Sequence, residues 1–311
     1  MTIIVTAKCP LRCRHCGVGI SDEPISVPLP RLREDDIKRA IHLASTMNYE
    51  IVNFAGGEPF LVTTLLAPGT AECRSLGLKS FITTAPMWAK SLEKARKFLA
   101  KVPALNYLIL SYDKYHLEFL EMKHYENALN AAYERNIGVI FNICYSFPHE
   151  KIEAKNQVSR FSERIYDILY QPILPVGNAR LFAKAIPLSG VTIEELADLD
   201  RLERSCTIGD IIIGLYKEVH ACCWASAVPG SPFRFDHKRS GNFKAALRRM
   251  ERHKSFRRFR QKGLIDSLPP DSRKNVFKSV KGKQFVNECH LCMYLMRKSN
   301  RELWDTYIRV V

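Results

Sequence analysis

Short apolar runs and longer amphipathic stretches alternate along the first 187 residues of the chain. The short runs are rich in β-branched residues, which favours strands, and the stretches between them repeat apolar positions at helical spacing. The predicted strands are Thr2–Ala7, Ile51–Ala55, Lys79–Thr84, Tyr107–Tyr112, Val139–Tyr145 and Ile168–Pro172. The predicted helices are Arg33–Met47, Thr64–Leu76, Ser91–Val102, Leu117–Asn136 and Lys151–Ile165.

This strict alternation of strand and helix predicts the α/β class with a parallel sheet. Such a sheet either stays open or curls into a barrel, and six strand–helix units make a partial (β/α)6 barrel of the TIM type. In both arrangements the carboxyl ends of the strands are where the chemistry belongs.

The pattern changes after residue 187. The segment Thr192–Glu195 reads T-I-E-E, a capping box that predicts the start of a helix. The stretch Ile211–Ala221 predicts a hairpin that delivers Cys222 and Cys223. We therefore predict two domains, residues 1–190 and residues 191–311, of which the second is the smaller.

Composition fits an ordinary soluble protein, because 46% of the residues are hydrophobic and 25% are charged. No apolar run approaches the roughly 20 residues that span a bilayer. The stretch Met1–Lys8 before the first cysteine is too short for a signal peptide. We therefore expect a cytoplasmic protein that does not enter a membrane.

The formal net charge of +15 indicates an acidic partner, which is a nucleic acid, a phosphorylated metabolite or an acidic peptide, unless the charge only solubilises the surface. The basic stretch Lys244–Lys262 predicts a helix with a partial apolar stripe. It is either a solvated helix face or a dock for an acidic partner. We recognise no RNA-binding motif in the chain and do not expect nucleic acid to be the partner.

The ten cysteines fall into two groups and two single positions. In a reducing compartment, clustered thiols are more often metal ligands or catalytic groups than disulfides. One group opens the chain and the other lies in its last third. Cys73 and Cys144 stand apart, and we interpret both as buried core residues.

The first group, Cys9, Cys13 and Cys16, has the spacing C-x3-C-x2-C and directly follows the first predicted strand. Three thiolates can bind three corners of a cubic four-iron cluster and leave the fourth iron open, as catalysis at a metal requires. Zinc is the alternative, for which His15 offers a fourth ligand.

At this point the sequence resembles the radical S-adenosylmethionine superfamily. Its cysteine spacing matches the superfamily signature, and the second strand ends in a similar G-G-E-P motif, Gly56, Gly57, Glu58 and Pro59. The resemblance implies that this motif contacts the methionine amino group, as glycine backbone and a carboxylate can. The fourth strand ends in Ser111 and Asp113, similar to an S-x-D motif that faces the cofactor ribose, and Gln171 lies where relatives contact the cofactor.

The resemblance implies an enzyme that holds a catalytic [4Fe–4S] cluster and S-adenosylmethionine. Reductive cleavage of the sulfonium then gives a 5′-deoxyadenosyl radical that abstracts a hydrogen atom from the substrate. An external one-electron reductant of the flavodoxin or ferredoxin type is the implied partner. The cofactors carry the difficult chemistry, and the protein binds and orients them.

The second group resembles the reduced auxiliary-cluster domain called twitch, a relative of SPASM. Its implied ligands to a second [4Fe–4S] cluster are Cys206, Cys222, Cys289 and Cys292, although four thiolates of this spacing also suit zinc. The choice between Cys222 and Cys223 as ligand is open. Neighbouring residues on an extended segment point to opposite sides. A spare Cys223 is therefore a candidate to return a hydrogen atom to a substrate radical, or it is a simple thiol.

Three functions fit the sequence. The first is modification of a ribosomally made peptide, by epimerisation with Cys223 as hydrogen donor or by crosslinking. The second is radical chemistry on a small metabolite or on RNA. The third is a non-catalytic metal-binding module that contacts nucleic acid, which the G-G-E-P motif argues against.

Overall fold

The computed structural model describes residues 1–17, 32–182, 190–198, 211–222, 231, 233–235, 243–252 and 254–296. All six predicted strands are confirmed in this part of the chain. They are β1 (Thr2–Thr6), β2 (Ile51–Gly56), β3 (Lys79–Thr84), β4 (Tyr107–Tyr112), β5 (Gly138–Tyr145) and β6 (Asp167–Pro172).

The six strands are parallel and lie side by side in chain order. The helices between them are α1 (Glu34–Thr46), α2 (Thr63–Ser75), α3 (Leu92–Ala100), α4 (Met122–Tyr133) and α5 (Pro148–Ser159). Two short 3-10 turns, Pro59–Val62 and Ser162–Arg164, join the connections after β2 and α5. This is the mixed α/β architecture of a partial TIM-like barrel that the alternation predicts.

Alternation along each strand separates a helix-covered face from the inner face of the partial barrel. In β4, Leu108, Leu110 and Tyr112 are fully buried beneath the helices, whereas Ile109 and Ser111 are half-buried on the inner face. The core therefore lies between sheet and helices. The inner face keeps polar positions near the carboxyl ends of the strands.

The predicted helix Leu117–Asn136 begins later than expected, at Met122. The side chain of Asp113 accepts hydrogen bonds from the backbone N–H groups of Tyr115 and His116, at 3.0 and 2.9 Å. This local bonding holds the chain in a turn before α4, because a short acidic side chain offers the backbone an alternative to helix.

Beyond the barrel, the capping box is confirmed, since Thr192 and Glu195 exchange side chain–backbone hydrogen bonds at 2.6 and 3.2 Å. The next elements are α6 (Ala179–Phe182), α7 (Ile193–Asp198), α8 (Phe243–Arg252), α9 (Lys254–Ser267), α10 (Pro270–Val280) and α11 (Glu288–Met296). The basic stretch thus forms two helices, and the apolar side of α8, including Leu247 and Met250, is buried.

The predicted hairpin is also present, as β7 (Ile212–Ile213) and β8 (Val219–His220), with β9 (Arg234–Phe235) beside it. Strand β7 pairs with β1 in parallel, so these strands extend the barrel sheet rather than form a separate one. In the described residues, no helix has the length and apolar character to cross a membrane.

Candidate active site

The cysteine loop, residues 7–17, leaves the carboxyl end of β1 and carries Cys9, Cys13 and Cys16. The Cys13 side chain is buried and the other two thiols are half-buried. The loop thus lies at the edge of the sheet where the sequence predicts the chemistry. All three thiols come from eight consecutive residues, so their positions depend on how this loop is held.

On one side the loop is held by the end of β2. The N–H groups of Gly57 and Glu58 donate hydrogen bonds to the carbonyls of Thr6 and Lys8, both at 2.7 Å. A Cβ atom at Gly57 would lie only 2.2 Å from the Lys8 oxygen. The φ angle of Gly56 is +140°, a conformation that side chains rarely adopt. Both glycines are therefore required for the backbone to approach Cys9 so closely.

On the other side the loop is held by the turn after β6. The backbone N–H of Asn178 donates to the Cys16 carbonyl at 2.9 Å, and its side-chain amide donates to the Cys13 carbonyl at 3.3 Å. Gly177 has a φ of +56°, and a Cβ there would meet the Cys16 carbonyl at 2.5 Å. The sequence reading missed Asn178, since a lone asparagine after a strand resembles many loop residues.

The carboxylate of Glu58 is buried at the base of the G-G-E-P segment. It accepts hydrogen bonds from the N–H groups of Phe60 and Ala85, at 3.0 and 3.1 Å, and from the Thr84 hydroxyl at 2.7 Å. Trp88 donates in turn to Thr84 at 3.0 Å. Burial raises the pKa of Glu58 to about 7, although these hydrogen bonds act in the opposite direction. The side chain therefore ties the end of β2 to the end of β3.

Asp113 is buried beneath the cysteine loop and bridges two histidines. Its second oxygen lies 2.8 Å from His116 Nδ1 and 3.3 Å from His15 Nε2. The His15 ring also stacks on Tyr115, with centroids 4.8 Å apart. The predicted contact of Asp113 with a ribose stays a prediction, and the carboxylate already has protein partners on both oxygens.

Asp113 and His116 each stabilise the charged form of the other. Burial acts to raise the pKa of Asp113, but His116 and His15 outweigh it and hold this pKa well below its usual range. Burial acts to lower the pKa of His116, yet the adjacent carboxylate raises it to about 10. Asp113 and His116 therefore form a buried ion pair at neutral pH.

The inner face above the cysteine loop is polar. Ser111 lies level with Asn142, and Cys144 lies level with Gln171, where the Asn142 amide donates to the Gln171 side chain at 3.4 Å. Predicted residues Ser111 and Gln171 thus share one face at the carboxyl ends of the strands. Asn142 was missed, because polar residues alternate inside many strands.

Cys144 corrects one interpretation made from the sequence. Cys73 is buried in α2 as a core residue, but Cys144 is half-buried on the inner face. Its sulfur belongs to a group in which ligand atoms of Cys144, His15 and Asp113 lie within 4.8 Å of one another. Burial raises the pKa of Cys144 well above its usual value, so the side chain stays a neutral thiol.

In the second cysteine group, Cys222 follows β8, and Cys289 and Cys292 lie in α11. Their spacing of three residues places both on the same side of that helix. All three pack against the main hydrophobic core. Cys206 and the hydrogen-donor candidate Cys223 lie outside the described residues.

The donor set in the cysteine loop fits an iron–sulfur cluster. Burial raises the pKa of Cys9 to about 11, so a thiolate there needs a cation, which a bound metal supplies. Among the described residues, His15 Nδ1 is a buried nitrogen with no hydrogen-bond partner, which leaves a polar atom unused inside the loop. Three thiolates in one loop can hold three irons of a cubic cluster and leave the fourth iron open.

Comparison with known families identifies the class of protein. Residues 3–159 match the model of the radical SAM superfamily, and this chain belongs to that family. It is therefore a radical S-adenosylmethionine enzyme, and the family implies a [4Fe–4S] cluster and S-adenosylmethionine as cofactors. The non-catalytic binding module considered above is set aside.

In sequence, the chain is similar to YydG of Bacillus subtilis (strain 168), described as a candidate peptide biosynthesis protein. The two are 23% identical over 230 residues, which is 72% of this chain and 68% of YydG.

Solved structures of anSMEcpe have a similar fold. The native protein with bound AdoMet matches with a TM-score of 0.58 at 13% identity, covering 99% of this chain and 98% of that one. The same protein with AdoMet and the Cp18Cys peptide matches with a TM-score of 0.56 at 11% identity, covering 100% of this chain and 99% of the other. At these identities the comparison shows the fold.

Proposed function

We propose that this enzyme modifies a ribosomally synthesised peptide, by epimerisation or crosslinking. The observation that carries the proposal is the similarity to YydG, a candidate peptide biosynthesis protein, over 72% of the chain. The anSMEcpe structure that holds a peptide is similar in fold along the whole chain and supports the same substrate class.

For the cofactors, we propose that Cys9, Cys13 and Cys16 bind the catalytic cluster and that backbone carbonyls of Gly56 and Gly57 accept from the methionine ammonium. The N–H groups of Gly57 and Glu58 already donate to the cysteine loop, so carbonyl oxygens are what this backbone offers a ligand. Once bound, the two cofactors supply a 5′-deoxyadenosyl radical. Glu58 is proposed to hold this backbone in place beside the ammonium, through its hydrogen bonds to the N–H groups of Phe60 and Ala85.

We propose that the inner face of the partial barrel binds S-adenosylmethionine and the substrate. Ser111 and Gln171 are proposed to contact S-adenosylmethionine, and Asn142 lies between them with its amide donating to the Gln171 side chain. Asp113, which follows the end of β4, is proposed to contact the ribose of the cofactor. Because these groups stand at the carboxyl ends of adjacent strands, they converge on one opening.

We further propose that the C-terminal region, residues 191–311, holds an auxiliary [4Fe–4S] cluster through Cys206, Cys222, Cys289 and Cys292. Two thiols on one side of α11 and a third after β8 support this ligand set. An external flavodoxin- or ferredoxin-type protein delivers the electrons. Anaerobic reconstitution should give about eight iron atoms per chain, and zinc in this region would contradict the proposal.

The substrate proposal is tested with a precursor peptide encoded beside the enzyme's own gene. Anaerobic enzyme, strong reductant and S-adenosylmethionine should give 5′-deoxyadenosine together with a changed peptide. In D2O, epimerisation adds one deuterium at a Cα atom, whereas crosslinking removes two hydrogens, and mass spectrometry separates the two. Deuterium-free, unmodified peptide alongside normal 5′-deoxyadenosine production would contradict a peptide substrate of this kind.

Substitution of two thiols tests the hydrogen donor. We expect Cys223→Ala to keep the clusters and 5′-deoxyadenosine production while epimerised product falls at least about a hundredfold, because a positioned donor is lost. Cys144→Ala is the matched control, since that neutral thiol also lies at the inner face, and it should keep the product. The reverse outcome would move the donor role to Cys144.

A further inference from the structure

A groove lies between the end of α1 and α8, and the proposed function gives it no role. Its volume is about 490 Å³, which is in the range of pockets that bind a ligand. Leu43, Met47 and Tyr49 line it from the end of α1 and the loop that follows, and Leu247 lines it from α8. Leu43 and Leu247 are buried, whereas Met47 and Tyr49 are half-buried. The groove therefore has an apolar floor.

The rim of the groove is basic. Lys244 and Arg248 lie one turn apart on α8, line the groove and are exposed. Neither side chain forms an ion pair within the described part of the chain. Glu251 also lines the groove, but it is the single acid of α8, which continues its basic character in Arg249 and Arg252. An apolar floor with unpaired cations at its edge is complementary to a partner that carries both apolar and acidic side chains.

We propose that this groove is a docking site for a segment of the precursor peptide that is acidic and apolar and that is not itself modified. The inference rests on the peptide substrate of the proposed function. Charge complementarity selects this occupant, because the cations of α8 attract a carboxylate and repel a basic segment. The apolar side chains of the segment lie on the floor, and its carboxylates face Lys244 and Arg248.

The position of the groove separates docking from chemistry. Helix α1 begins after the cysteine loop at the carboxyl edge of the sheet and ends just before β2, so the groove lies near the amino ends of the strands. With 13 residues, α1 is about 20 Å long. An extended chain needs at least about six residues to span this length. The docking segment and the modified residue are therefore separated by at least that length of peptide.

The test measures binding of a fluorescently labelled precursor peptide, encoded beside the gene, to the full-length reconstituted enzyme by anisotropy. Replacing Lys244 and Arg248 together with Glu should raise the Kd at least about tenfold, and should raise KM with little change in kcat, because only docking is lost. Replacing Arg249 and Arg252 together with Glu is the matched control. It changes the net charge equally at exposed positions that do not line the groove, and its Kd should stay within about threefold.

Two further measurements identify the contact. A peptide whose acidic residues are replaced by Lys should bind the Lys244→Glu, Arg248→Glu enzyme more tightly than it binds the unchanged enzyme. Replacing Lys244 and Arg248 with Gln, which introduces no repulsion, should raise the Kd of the original peptide by a smaller factor. With dithionite as reductant and no peptide, all these variants should produce 5′-deoxyadenosine like the unchanged enzyme.

Equal Kd values for the groove variant, the control variant and the unchanged enzyme would overturn the inference and leave the proposed function intact. A groove variant that binds peptide normally but loses activity only when a flavodoxin supplies the electrons would also overturn it, since the groove would then bind the reductant. If the unchanged enzyme neither binds nor modifies the peptide, the peptide substrate is refuted, and the inference with it.

Discussion

The two cysteine regions of this enzyme are built in opposite ways. The cysteine loop takes three thiols from eight consecutive residues and receives backbone hydrogen bonds from the end of β2 and from the turn after β6. The second group draws on positions separated by most of the C-terminal third of the chain. Sheet topology places the first site, whereas only the packing of helices and a short hairpin can assemble the second.

The largest expected effect is the loss of S-adenosylmethionine cleavage when the cysteine loop, and not the second cysteine group, is changed. Replacing Cys9, Cys13 and Cys16 together with Ala should lower 5′-deoxyadenosine production more than about a thousandfold, because the cofactor carries the reaction. About four iron atoms should remain. The measurements are iron content and chromatography of 5′-deoxyadenosine.

The complementary variant replaces Cys289 and Cys292 with Ala. We expect it to retain 5′-deoxyadenosine production within about tenfold and to lose about four iron atoms together with the modified peptide. If this variant loses the N-terminal cluster as well, the two sites are not independent and the comparison fails.

A pH effect is expected for the first region, through Glu58. Folding raises the pKa of this carboxyl from 4.5 to about 7, so between these values the folded protein holds a proton that the unfolded chain releases. The contribution to stability is largest below pH 4.5 and is lost as the pH rises towards 7. It amounts to about 3 kcal/mol over this window.

Urea unfolding of the metal-free protein at several pH values checks this. The difference in unfolding free energy between the unchanged protein and Glu58→Gln should decline as the pH rises, because Gln does not titrate. Glu93→Gln, at an exposed position in the first turn of α3, is the matched control and should show no such decline. If the difference in unfolding free energy between the unchanged protein and Glu58→Gln did not vary with pH, the raised pKa of Glu58 would be contradicted.

A smaller effect is expected at Gly57. Its substitution by Ala brings a Cβ to 2.2 Å from the Lys8 carbonyl, so the backbone beside Cys9 must shift. We expect S-adenosylmethionine cleavage to fall about tenfold to a hundredfold, since small displacements of reacting groups are costly. Gly77→Ala is the control: it is strained by its φ of +72° but meets nothing within 4 Å, and it should lower stability without lowering cleavage.

The barrel and its cysteine loop follow from the sequence to within a few residues. All six strands match because β-branched runs and amphipathic stretches alternate without interruption, and the motifs sit where parallel strands end. The later start of α4 could not be anticipated, because it depends on the Asp113 side chain bonding to its own turn. The local pattern of apolar residues predicts helices and strands, but it does not show that a side chain such as Asp113 competes with the helix for backbone N–H groups.

The hydrogen-bond partners and positions of buried side chains could not be predicted from the sequence either. That Glu58 bonds to Thr84 across two strands, or that Cys144 lies on the inner face, depends on strand register. A one-residue change of register would turn Cys144 towards the helices. Asn178 contacts the cysteine loop across 165 positions of chain, a distance over which spacing carries no information.

The pairing of β7 with β1 has a consequence for the molecule as a whole. The Thr2 N–H donates to the Ile211 carbonyl at 2.8 Å, so the strand that leads into the first cysteine is flanked on both sides. A fragment that stopped at residue 190 would expose the polar backbone of β1, and such open edges recruit other chains. We expect this N-terminal fragment to self-associate rather than work as a smaller catalyst.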